Sequence, residues 1–167
     1  MQQDAQFDST GQYRYSLWRQ WNAEGDRLVF IMLNPSTADA QHNDPTIRRC
    51  LGFARRWGYG CLVTVNLFAY RTPYPHHLCR VPDPVGPETD RYLLQAVHQA
   101  DRVIAAWGNA GQLWRDRVCH VLHLVTPNIP LWCLGLTTLG QPRHPLYAKA
   151  DSVPIPWDGR IGTSPSR

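Results

Sequence analysis

Asn34, Asn66 and His144 each follow an apolar run of this 167-residue chain, and amides and an imidazole so placed suit one kind of chemistry. An amide presents donor and acceptor together, the pattern that matches a nucleobase edge. A histidine donates to a developing anion. Asn34 follows Ile31-Met32-Leu33 and is itself followed by Pro35, Ser36 and Thr37. Asn66 closes Leu62-Val63-Thr64-Val65, and as a polar group ending a buried run it must find partners there or face a ligand. His144 lies between Arg143 and Pro145, beyond the run Cys133-Leu134-Gly135-Leu136. A fourth run, Ile104-Ala105-Ala106, leads into Trp107-Gly108-Asn109.

If these four runs are parallel strands of one sheet, their polar ends share an edge, where open α/β folds bind ligands. Near-continuous apolar character means burial on both faces, as parallel strands require. Between Tyr13 and Leu33, two strand-like runs flank the Gly-containing Asn22–Asp26 segment, so a hairpin is expected there. Asp44 as N-cap and Pro45 at the first helical position start a helix whose inner face carries Ile47, Leu51 and Ala54. Its other face carries Arg48, Arg49, Arg55 and Arg56, a solvated face on which Arg48 and Arg55 align for phosphate contacts, as does Arg143 in its loop. Further helices are expected over about 88–99 and 111–125. The order is a hairpin followed by alternating helices and strands, hence a three-layer α/β sandwich with a mainly parallel central sheet and an N-terminal antiparallel hairpin. It forms a single domain over 1–167, with 1–11 and 159–167 flexible.

The five cysteines show no C-x-x-C pair and no secretory signal opens the chain, which places reduced thiols in a cytoplasm. No apolar stretch is long enough to span a membrane. The net charge of +4 suits a polyanionic partner, DNA or a nucleotide, and nothing implies an obligate protein partner. Seven Trp and 14 Pro suit a pocket shaped by loops; five of the prolines fall between Arg71 and Pro87, an expected ordered loop that also holds His76 and His77. The turn after Asn34 has no Gly-rich phosphate loop. No Ser-His-Asp or Cys-His spacing marks a nucleophilic hydrolase, and His120-x-x-His123 lacks a third ligand for zinc. No metal or organic cofactor is expected. Asp39 and Asp44 lie close enough to Asn34 in sequence to supply a carboxylate.

Taken in order, these segments resemble the uracil-DNA glycosylase superfamily over about 28–148. Its early Gly-x-Asp-Pro or Gly-x-Asn-Pro turn is matched by Met32-Leu33-Asn34-Pro35, and its Leu-Leu-Leu-Asn strand by Val63-Thr64-Val65-Asn66. Its apolar-Trp-Gly-x-x-Ala strand is matched by Ala106-Trp107-Gly108-Asn109-Ala110, and its His-Pro loop by His144-Pro145. The chain also resembles a bacterial family of unknown function carrying Leu-Asn-Pro-Ser-Thr-Ala-Asp, seen here at 33–39.

The first resemblance implies hydrolysis of the N-glycosidic bond of a damaged or modified base extruded from DNA. Asn34 would position water, with Asp39 as a possible carboxylate, and His144 would stabilise the departing base. Asn66 would read the base, and Pro35, Ser36, Phe68, Trp107 and Gly108 would shape its pocket. Met32 replaces the first Gly of the motif, and Asn34 replaces the Asp of the strongest uracil enzymes, so water is positioned but not deprotonated. The stacking aromatic is open among Phe53, Trp57, Phe68, Tyr70 and Tyr74. Two alternatives stand beside it: a noncatalytic nucleobase-binding module, and a hydrolase or transferase of free nucleotides.

Overall fold

A computed structural model describes residues 1–161. Among these residues seven strands form one sheet: β1 (Gln2–Phe7), β2 (Arg14–Gln20), β3 (Arg27–Met32), β4 (Cys61–Asn66), β5 (Arg102–Ala105), β6 (Leu131–Cys133) and β7 (Ile155–Trp157). Their order is β1-β2-β4-β3-β5-β6-β7. The central four, β4-β3-β5-β6, are parallel. An antiparallel β1–β2 pair joins β4 on one side, and antiparallel β7 joins β6 on the other. Among the described residues, three α-helices complete the fold: α1 (Pro45–Arg56), α2 (Thr89–His98) and α3 (Arg115–Val125).

Strand β3 explains the order. Leu28 to Met32 are all buried, with Leu28, Phe30 and Met32 in the cluster that includes Ile47, Phe53 and Ala54 of α1. Val29 and Ile31 pack in the other cluster, with Leu93 and Val97 of α2 and Val118, Val121 and Val125 of α3. A strand apolar on both faces belongs inside the sheet, covered above and below. The layers are therefore α1, the sheet, and α2 with α3.

This requirement also breaks the hairpin expected between the first two runs. Strands β2 and β3 do not pair, because β4 lies between them. The antiparallel N-terminal hairpin is formed instead by β1 and β2, closed by the Asp8 to Tyr13 turn. Residues 2–7, expected to be flexible, are an edge strand, registered from Gln2 opposite Gln20. At the other end, the segment 159–167, expected to be flexible, lies mostly outside the described residues, and β7 pairs with β6 ahead of it. The last apolar run is also shifted, since β6 ends at Cys133 and Leu134–Leu136 lie beyond it.

Helix α1 begins as its sequence requires. The Asp44 carboxylate accepts the Ile47 N–H at 2.8 Å and Pro45 occupies the first turn, a cap worth about 1 kcal/mol. Helix α3 starts at Arg115, after a short 3-10 turn over Asn109–Gln112.

Candidate functional site

From β3 the chain moves outward to β4 over α1, and from β4 it returns across β3 to β5 over the opposite face. The loops after β3 and β5 thus diverge to opposite faces, the arrangement that opens a crevice at the carboxyl ends of adjacent parallel strands. A cavity of about 920 Å³ occupies this place. Asn34, Ser36 and Thr37 line it from the β3 side, Trp107, Gly108 and Asn109 from the β5 side, and Arg143 and His144 from the loop after β6. Pro45, Thr46 and Ile47 bring the α1 N-terminus to it, and Thr72, Pro73 and Pro75 contribute from the proline-rich loop. Its buried wall includes Arg14, Met32 and Trp107, while exposed Pro73, Leu146 and Tyr147 stand at the rim.

The Asn34 side chain is held at both ends of its turn. Its Nδ2 donates to Pro35 O at 3.0 Å and Thr72 O at 2.9 Å, and the Thr72 N–H donates to Pro35 O. With both amide hydrogens used, the oxygen is the group left for a ligand or water.

His144 caps the short turn Pro145–Tyr147. Its Nδ1 accepts the Leu146 N–H at 3.2 Å. That bond assigns the ring proton to Nε2, which has no protein partner among the described residues. Burial pushes the imidazole pKa down to about 4, with Asp44 opposing. At neutral pH His144 is an uncharged Nε2–H donor at the cavity wall.

Three contacts fix the loop that carries it. The Gly108 N–H donates to Pro142 O at 2.8 Å. Trp107 Nε1 donates to Gln141 Oε1 at 3.0 Å, and Gln141, fully buried, passes a bond from Nε2 to Gln112 Oε1. On the far side Arg49 donates to Pro145 O at 3.3 Å and to Ala148 O. Arg49 is half-buried and ties α1 to the histidine loop, rather than forming part of a solvated face. Gly108 adopts φ +74° and ψ −168°, and a Cβ there would stand 3.2 Å from His144 Cβ. Such a backbone is essentially restricted to glycine.

The other expected site residues lie elsewhere. Pro35 is buried in its turn and does not line the cavity. Asp39 is also outside it, its carboxylate accepting the Gln41 and His42 N–H groups. Asn66 is 2% exposed, opposite Met32 in the register, and neither of its amide atoms has a partner among the described residues. It sits behind the wall instead of in it. Phe68 packs edge-on against Trp114 in the core. Arg48 and Arg55 are both on α1, but seven residues separate them by about 10 Å along its axis. Arg55 lies over the Trp21 ring toward the opposite edge of the sheet.

Arg14 is the charged cavity residue that sequence reasoning missed, along with the hydroxyls of Thr46, Thr72, Thr137 and Thr138. Its only signal is a charged residue inside a strand-like run, which by itself does not say which way the side chain points.

Fold and site together define an α/β protein with a cavity at the topological switch point of its parallel strands. The chain belongs to the family described as protein of unknown function (DUF1643), whose model matches residues 14–146. That span runs from Arg14 through Leu146, so it takes in β2 to β6 and every cavity-lining residue except Tyr147. No curated protein and no solved structure matches the chain.

Proposed function

We propose that this protein is a nucleobase-recognising N-glycosylase of uracil-DNA glycosylase type, hydrolysing the bond between a modified base and its sugar. The observation that supports this most is His144, locked as a neutral Nε2–H donor in the same cavity as an amide whose oxygen alone is free. In this reading the N-glycosidic bond breaks with its electron pair moving to the base. His144 Nε2–H donates to the departing base, so negative charge on the ring is stabilised without a cationic partner. Asn34 Oδ1 accepts a hydrogen bond from water, which adds its hydroxyl to the anomeric carbon while its proton ends on the released base. An amide orients this water without taking the proton, so turnover is slow.

Base recognition falls to other polar groups in the wall, the Thr72, Thr137 and Thr138 hydroxyls, beside the Trp107 indole. The fit of one cavity to a base and part of its nucleotide agrees with its volume. The replacement of carboxylate by amide at position 34 favours a second reading, a binding module without turnover.

The test is incubation with uracil, hypoxanthine, xanthine and alkylated bases, presented in single- and double-stranded oligonucleotides and as free nucleoside monophosphates, scoring released base. Excision that falls on the order of 100-fold or more in both Asn34→Ala and His144→Ala is expected. Base-dependent binding by folded protein without any release would establish the binding module. Excision unchanged in both variants would remove these residues from the chemistry.

A further inference from the structure

We propose that Arg14 and the N-terminus of α1 form a phosphate-binding subsite within this cavity, so that its ligand is a free nucleoside monophosphate. The inference rests on the cavity being the nucleotide site just described, but not on bond cleavage there.

Arg14 is 2% exposed and lines the cavity. Its Nη1 donates to Ala38 O at 2.8 Å, and its Nε has no partner. Among the described residues, no carboxylate pairs with it. Burial lowers its pKa to about 10, with Asp44 partly offsetting that effect, so the guanidinium stays charged at neutral pH. A buried charge without an ion-pair partner is costly and calls for a counter-charge.

Asp44 supplies part of it at a distance, favouring the charged guanidinium without pairing with it. It is the only acid lining the cavity among the described residues, and both its oxygens are engaged by backbone N–H groups, of Ile47 at 2.8 Å and of Ala38 at 3.4 Å. The remaining lining groups nearby in sequence are donors: the Ser36, Thr37 and Thr46 hydroxyls. The first turn of the 12-residue helix α1 also reaches the cavity; Pro45 carries no N–H and the Ile47 N–H is taken by the Asp44 cap, so the turn contributes its dipole, alongside that one carboxylate, rather than an open cradle of N–H groups. A guanidinium, a helix N-terminus and several hydroxyls line one cavity, a set of donors that suits the oxygens of a phosphate.

The position of Arg14 selects the kind of nucleotide. As an almost fully buried wall residue it is accessible to a terminal phosphate entering with its own base. An internal phosphate of DNA carries chain on both sides and would have to draw that chain into the cavity with it. The cavity volume of about 920 Å³ accommodates a whole mononucleotide.

The decisive measurement uses the native protein and calorimetric titration with 2′-deoxyuridine, its 5′-monophosphate and a single-stranded oligonucleotide containing the same base internally. The expected order is the monophosphate tightest, by about tenfold or more over the nucleoside. Inorganic phosphate should compete with it and should raise the melting temperature over chloride at equal ionic strength. Arg14→Lys, which keeps charge but not the forked geometry, and Arg14→Gln should both lose the preference for monophosphate over nucleoside while still binding nucleoside. Equal affinity for nucleoside and monophosphate in the native protein overturns the subsite, whether or not the variants fold. Tenfold preference for monophosphate without base release would retain the subsite and remove the glycosylase reading. Excision from oligonucleotides with no monophosphate preference would do the reverse.

Discussion

Acidification should destabilise this protein through one imidazole. His144 is half-buried, its Nδ1 accepts the Leu146 N–H, and burial lowers its pKa from the ordinary 6.5 to about 4. Between those values the unfolded chain binds a proton that the folded chain refuses. The stability His144 confers is therefore complete above pH 6.5 and is lost progressively as pH falls toward 4. At about 1.4 kcal/mol per pH unit, the loss is about 3 kcal/mol, a large share of the stability of an ordinary domain. For a chain of this size that corresponds to roughly 6–12 °C in melting temperature.

The assay is urea unfolding at intervals from pH 7.5 to 4 for the wild type and His144→Gln, since other groups titrate over the same range and the difference isolates this one. Side-chain nitrogen NMR on the wild type should show the Nε2–H tautomer at pH 7 and no titration of His144 above pH 5. A His144 resonance that titrates near 6.5, or parallel pH profiles for the two proteins, would refute the account. It would also remove the neutral donor on which the proposed chemistry relies.

Three further substitutions test the same geometry. Gly108→Ala should cost about 1–3 kcal/mol because its backbone is one that side chains avoid, and its Cβ should displace His144, raising the imidazole pKa toward 6.5. Gly52→Ala, on the exposed face of α1 with open space around it, should be stabilising by about 0.5–1 kcal/mol and leave His144 unmoved; equal thermal shifts for the two variants would discard the steric argument. Asn66→Leu should raise stability by about 1 kcal/mol or more, since an apolar side chain replaces a buried amide without partners. Because Asn66 lies outside the cavity, nucleotide binding should persist, and its abolition in a folded Asn66→Leu protein would show that the amide reaches the ligand.

The features legible in the sequence are those with local causes. Asp44 before Pro45 starts α1 because a carboxylate satisfies free N–H groups at a helix start wherever the helix packs. The runs at 31–33, 62–65 and 104–106 fall in or at the ends of the interior parallel strands β3, β4 and β5 because they are largely apolar on both faces, and this brings Asn34, Trp107, Gly108 and His144 to one edge. The resemblance to a family of unknown function through Leu33–Asp39 agrees with the family that the chain belongs to.

What the sequence left undetermined depends on partners distant along the chain. Nothing in residues 14–33 says that β4 will separate β2 from β3; that follows from which strand must be covered on both faces. Asn66 ends its run as expected, yet whether a strand-end amide faces a ligand or lies behind Met32 is decided by the register of β4 against β3. Arg14 and Arg49 are arginines like Arg48 and Arg55 in composition. One is turned into the cavity by β2 and the other is bound to the carbonyls of the loop after His144. The protonation of His144 has the same origin, since an imidazole's pKa and tautomer follow from its burial and from the N–H that meets it, and only packing between loops more than a hundred residues apart supplies the first. Residue types thus name the groups able to do chemistry, whereas tertiary packing decides which of them reach the cavity and in what charge state.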